Sequence, residues 1–160
     1  MVSNSSYKNL GVGYVGGLVG LNSYGNITQC YSNSNVSSNY EMGGLIGTDS
    51  FGKITKCYST GSVTNVANLA SWHIGGLIGS CTKRFISQCY SISLLNGRDA
   101  QGLLGQQNET IMTACFWDIE TSEVTTSITG GIGKTTTEMK TRSTFVNAGW
   151  DFSDETTNGT

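Results

Sequence analysis

The sequence predicts an all-β chain wound as a right-handed parallel β-helix, a β-solenoid of about four rungs. Each rung would hold three short strands, and a C-terminal α-helical cap would close the coil. Three observations predict this: a glycine-leucine string recurs every 26 to 32 residues, a cysteine stands after each copy at a constant distance, and proline is absent. The string Gly-Gly-Leu-apolar-Gly stands at Gly16–Gly20, Gly43–Gly47 and Gly75–Gly79, and Gln101–Gly105 keeps all but its first Gly. Fourteen positions after each start stand Cys30, Cys57, Cys89 and Cys115, each with an aromatic next to it: Tyr31, Tyr58, Tyr90 and Phe116. An interval that is fixed inside the unit and variable at the joins marks a structural repeat.

Within the first unit the strand-like pieces are Gly17–Asn22, Asn26–Ser32 and Asn35–Tyr40, separated by turn formers at Ser23-Tyr24-Gly25 and Ser32-Asn33-Ser34. Stacked at about 4.8 Å, four such rungs rise roughly 19 Å and place equivalent residues directly above one another. The core columns are then Leu18/Leu45/Leu77/Leu103, Val19/Ile46/Ile78/Leu104 and Ile27/Ile54/Ile86/Met112, with Val36/Val63/Leu95 as a fourth stack that Thr121 interrupts. An antiparallel sandwich gives no reason for a fixed Gly-to-Cys interval. The four aligned cysteines read as buried free thiols, because the total of five is odd and no Cys-x-x-Cys pair is present. Cys81 falls outside that column, beside Asn22, Asp49 and Gln107, and is expected to be exposed.

Beyond Trp117 the repeat dissolves. Thr135-Thr136-Thr137-Glu138 reads as a capping box that opens a helix over 136–147, with Met139, Phe145 and Val146 on its apolar side and Gly149 as its stop. With Trp150 and Phe152, this helix is expected to cover the lower end of the coil, whose strand edges would otherwise be unpaired. The division is thus 1–121 for the repeats and 122–160 for the capping segment, together one compact unit. Residues 1–15 supply part of a rung, so the upper edge reads as uncapped, as in a piece of a longer array.

The repeat strings carry a resemblance as well as a pattern. Gly-Gly-Leu-Val-Gly, then Gly-Asn-Ile-Thr-Gln-Cys-Tyr-Ser, and the run Cys57-Tyr58-Ser59-Thr60-Gly61-Ser62-Val63, resemble the GLUG motif. The resemblance covers about residues 10 to 121. The third unit departs from it with Arg84 in place of Gly before Ile, and the fourth with Thr110 and Met112. The segment from Gly133-Lys134-Thr135 to Gly149-Trp150-Asp151-Phe152 resembles the stretch found C-terminal to such repeats in large bacterial surface proteins. Related repeats occur in adhesin-like proteins and in non-catalytic regions of immunoglobulin A-cleaving metallopeptidases. The resemblance implies a non-enzymatic structural or adhesive module of a larger surface or secreted protein, located outside the cell. Its expected partners are neighbouring repeats and surface glycans or proteins.

Composition and missing motifs exclude other classes. Charged residues make up 12% of the chain, against about 25% in a typical domain, and the net charge is −2. That leaves no basic footprint for nucleic acid. No apolar run reaches the length of a membrane span, and the N-terminus has no secretory signal pattern. A zinc peptidase needs His-Glu-x-x-His, whereas His73 is the single histidine. Gly130-Gly131-Ile132-Gly133-Lys134-Thr135 fails as a phosphate loop because Ile128 occupies the position of the first required glycine. No catalytic residue, cofactor or metal site is expected.

One column suggests binding. Tyr14, Glu41, His73 and Asp99 occupy equivalent positions, and the apolar column beside them turns theirs outward. Glu41, His73 and Asp99 would stack the imidazole between two carboxylates, as a weak metal site or an acid–base group against a glycan. A plain surface ladder of alternating charge accounts for the same column, worth at most about 1 kcal/mol. Trp72, in the longest insertion, is a further candidate contact. A glycan-cleaving enzyme is the remaining rival, but six of the eleven acids lie at or beyond the end of the last rung.

Overall fold

Every described strand pairs in parallel, as a winding repeat requires and a hairpin fold does not. The computed structural model describes residues 6–9, 13–67 and 73–153. The described strands form four parallel sheets of repeat-like units, a β-solenoid-like arrangement with short helices near the C-terminus. Residues equivalent in the repeat are also equivalent in register. Val19, Ile46, Ile78 and Leu104 pair in line, as do Ile27, Ile54, Ile86 and Met112. Val36, Val63 and Leu95 form a third line, and Tyr31, Tyr58, Tyr90 and Phe116 a fourth.

The chain pairs at four places per unit where three were expected. The additional strand lies between the expected third and first pieces: Met42–Gly43 pairs in a different sheet from Ile46–Thr55. Conversely, Ile46–Thr55 and Ile78–Ser87 run unbroken through the expected turn. They change direction at left-handed residues instead. Tyr24, Phe51, Lys83 and Glu109 share φ between 50° and 60°, and Gln29, Lys56, Gln88 and Ala114 share φ of 52° to 54°. A non-glycine residue in this region costs about 1–2 kcal/mol, so two such columns are corners held by the surrounding sheet.

The second corner explains the cysteines. Each thiol comes directly after the left-handed residue and donates to the carbonyl two positions back: Cys30 to Thr28 (3.3 Å), Cys57 to Thr55 (3.2 Å), Cys89 to Ser87 (3.3 Å) and Cys115 to Thr113 (3.2 Å). All five cysteines are free, and four are buried. Hydrogen bonding to the Cys115 and Cys57 thiols, and then burial, pushes the Cys89 thiol far above its usual range and keeps it protonated.

Two apolar clusters fill the coil, one around Leu45, Leu77 and Leu103, the other around Val36, Met42, Val63 and Ile74. Leu18, expected in the first, is 42% exposed because no described strand lies above it. Between the clusters, small side chains face glycine. Ser32, Ser59 and Ser91 lie beside Gly17, Gly44 and Gly76, and at the end of this line Trp117 takes the serine position against Gly102. The indole fills the space under the last repeat, and its Nε1 donates to the Val124 carbonyl at 2.8 Å. Thr129 donates to the Leu104 carbonyl, and Gly131 lies near Leu103 and the Trp117 ring.

The helical segment differs from expectation in two ways. The helix predicted over 136–147 is two short ones, α2 (Thr136–Met139) and α3 (Arg142–Val146), preceded by a single turn, α1 (Ile119–Ser122). The capping box at Thr135 and Glu138 is formed. Thr141, however, is extended (φ −98°, ψ 115°), and its hydroxyl donates to the Thr137 carbonyl at 2.8 Å. A β-branched residue whose hydroxyl competes for backbone carbonyls favours such a break. Also, the helices lie beside the aromatic file and not beneath the coil. Phe145 meets Tyr90 and Phe116 edge-on, with ring centroids 6.1 and 5.5 Å apart. Asp118 fastens this region by capping α1 through the Glu120 and Thr121 amides and accepting from the Thr136 hydroxyl at 2.8 Å. Burial raises its carboxyl, but those hydrogen bonds outweigh it and hold the group below the usual carboxylate range.

Candidate functional site

Two surfaces collect polar or aromatic groups. The first is the column marked in the sequence. His73 Nδ1 and Glu41 Oε1 are 3.0 Å apart, and the Thr48 hydroxyl donates to Glu41 Oε2 at 2.5 Å. The backbone joins the two repeats at the same place, the amide of Met42, next to Glu41, donating to the His73 carbonyl at 3.0 Å. Asp99 is not brought to them. It has φ of 63° in the turn after Gly97, which swings it from the file, and its exposed carboxylate makes no hydrogen bond or ion pair among the described residues. Trp72 lies outside the described residues, as does Leu69 of the same insertion. Among the described residues no three His, Cys, Asp or Glu side chains converge where they could hold a metal ion.

Cys81, expected at the surface, is 1% exposed. Its column turns inward because Asp49 and Arg84 form an ion pair there, with no exposure of either side chain. Arg84 Nη1 donates to the Gly25 carbonyl at 3.1 Å and to the Phe51 carbonyl, and Nη2 donates to Asp49 Oδ1. Asn22 donates to the same Oδ1 at 2.7 Å. Asp49 Oδ2 and Arg84 Nε have no partner among the described residues, and these are the two atoms that a side-on fork would join. Burial pushes the Asp49 carboxyl up, against the opposing pull of Arg84 and Asn22. The same environment drives the Cys81 thiol to about 12. These three groups are structural.

The second surface is a cleft of about 630 Å³ between the tyrosine file and the helices α2 and α3. Tyr31, Tyr58 and Tyr90 stack face to face with centroids 5.0 and 4.9 Å apart and planes within 5° of parallel. Such spacing is a consequence of parallel register, which sets like residues one sheet spacing apart. Phe145 and Trp150, 5.2 Å apart and edge-to-face, form the opposite wall. Trp150 is fixed by its Nε1, which donates to the Ala114 carbonyl at 3.1 Å, and Gln88 donates to the Gly149 carbonyl at 2.8 Å. The sequence shows the tyrosine column and the late aromatics separately. What joins them is the path of residues 123–135, which carries no repeat.

Residues 11–37 and 38–64 match the GLUG motif. GLUG is a non-catalytic repeat motif reported in surface and secreted bacterial proteins. The two matched stretches are the first two repeats. The later units keep the same register despite Arg84, Thr110 and Met112 at positions where the GLUG pattern differs. No curated protein and no solved structure matches the chain. The chain carries two copies of this non-catalytic repeat motif, and among the described residues no helix is long and apolar enough to cross a membrane.

Proposed function

We propose that this chain is a structural and adhesive module of a larger bacterial surface or secreted protein, acting outside the cell as a stiff spacer with a binding face. The unit is a right-handed coil of about four rungs over residues 1–121, followed by the segment 122–160, whose strand Ile132–Lys134 continues one sheet beyond the last rung. The observation that carries this reading is the unbroken register of equivalent residues from one repeat to the next. It supports stiffness because each repeat rests its whole backbone on its neighbour, so bending must break several ladder bonds together. The motif matches support the surface placement. Antibodies raised against the chain are expected to label intact, unpermeabilised cells that carry it, or to detect it in the culture medium. Labelling that appears only after permeabilisation would overturn the placement.

A rival reading uses the outward column as a carbohydrate or metal site through Glu41, His73, Asp99 and Trp72. The contact between Glu41 and His73 favours it, whereas the separation of Asp99 weakens it. A glycan-cleaving role finds no support in a non-catalytic motif.

A further inference from the structure

We propose that the cleft between the tyrosine file and helices α2 and α3 binds a carboxylated sugar, with the aromatic walls taking its C–H faces and Lys56 and Lys140 taking its carboxylate. This goes beyond the spacer reading. If the binding test fails, the cell-labelling result is unaffected.

Its volume, about 630 Å³, falls within the span typical of small-molecule pockets, and aromatic rings with a few polar groups are their usual lining. The walls come from four distant stretches of chain, near Tyr58, Tyr90, Asp118 and Phe145, so the cleft exists only in the folded protein. Its rings are held in place before any ligand arrives. Tyr58 and Tyr90 are locked in the stack, Trp150 by its bond to Ala114, and Phe145 by four edge-on neighbours. A preorganised aromatic wall loses little side-chain entropy on binding.

The polar groups select the ligand. Lys56 and Lys140 line the cleft, and neither is ion-paired among the described residues, in contrast to Lys83 and Lys134. The carboxylate in the lining, Asp118, is 2% exposed and already accepts bonds from Thr136, Glu120 and Thr121. The two lysine ammonium groups outnumber the one lining carboxylate, so the cleft keeps a net positive charge on a chain whose net charge is −2. The Tyr58 and Tyr90 hydroxyls have no hydrogen-bond partner among the described residues, and burial together with the neighbouring Tyr58 pushes the Tyr90 phenol to about 12, so it stays a donor. Rings, unpartnered hydroxyls and unpaired ammonium groups together suit a molecule with apolar C–H faces, hydroxyls and an anionic carboxylate. A small inorganic anion would leave the rings unused, and a neutral sugar would leave the charges unused.

The probe is trigalacturonic acid, titrated into the whole chain by calorimetry and by Trp fluorescence, with cellotriose and AMP as comparisons. Saturable binding of trigalacturonate is expected, weaker in high salt, with cellotriose and AMP weak or silent. The double variant Lys56→Ala/Lys140→Ala should lose roughly 10- to 100-fold in affinity, as expected when charge-assisted hydrogen bonds are removed. Both lysines are exposed, so the melting temperature of that variant should match the parent and separate lost binding from lost folding. Tyr58→Phe keeps the ring stack and should weaken binding less. No saturable signal with trigalacturonate, equal affinity in the double lysine variant, or equally tight binding of cellotriose or AMP would each overturn the proposal.

Discussion

Arg84→Met is expected to cost about 3–5 kcal/mol of folding stability, the range for removing one partner of a buried ion pair. The cause is less the lost attraction than the charge left behind. Without the guanidinium, Asp49 sits at zero exposure with Asn22 as its remaining side-chain donor. The carbonyls of Gly25 and Phe51 also lose the donor that joins the first two repeats to the third. Asp49→Leu should be similarly costly because it strands Arg84. Removing both charges together, as Asp49→Leu/Arg84→Met, should recover much of the loss, since a well-packed apolar pair often equals or exceeds a buried ion pair in stability. Urea unfolding of the three variants measures this. A double variant no better than the sum of the singles would show that the pair is not coupled.

Gly75→Ala is expected to destabilise the fold by about 3 kcal/mol or more, at the upper end of overpacking effects. A Cβ at this position would press against the Ile78 carbonyl and reach the Gly105 amide nitrogen at 2.6 Å, so both obstacles are backbone. Backbone locked in two neighbouring ladders cannot swing aside as a flexible side chain can. Gly149→Ala is the comparison. It has nothing within 4 Å of the added carbon, and its φ of 86° limits the cost to roughly 1 kcal/mol. Thermal unfolding of both should show a much larger drop for Gly75. Equal drops would mean that glycine here serves turn conformation and not close approach between repeats.

The two substitutions also mark where the sequence is legible. Every column that repeats a side-chain type could be read in advance: the leucine and isoleucine lines, the cysteines at their corner, the tyrosines. Stacking copies a residue's surroundings from one repeat to the next, and that copying is visible as periodicity. The ion pair breaks the period. Arg84 registers with Gly52, whose missing Cβ leaves room for the guanidinium, so it reads as an irregularity until the repeats are stacked. For the same reason Asp49 and Cys81 lie inside, although the polar residues of their column pointed to the surface. The break at Thr141 and the sideways placement of Phe145 arise from local hydroxyl bonding and from a linker without repeats. Of the outward column, Glu41 and His73 meet as equivalent positions should, and Asp99 departs because its turn has a left-handed residue. The cleft was half visible, one wall periodic and the other not.

Through-hydrogen-bond scalar couplings test the stacking most directly. The amide of Tyr58 should couple to the carbonyl carbon of Cys30, that of Tyr90 to Cys57 and that of Phe116 to Cys89. All three couplings present would place the cysteines in one file along the axis. Couplings from these amides to any other carbonyls, or an antiparallel pattern between the same segments, would contradict it.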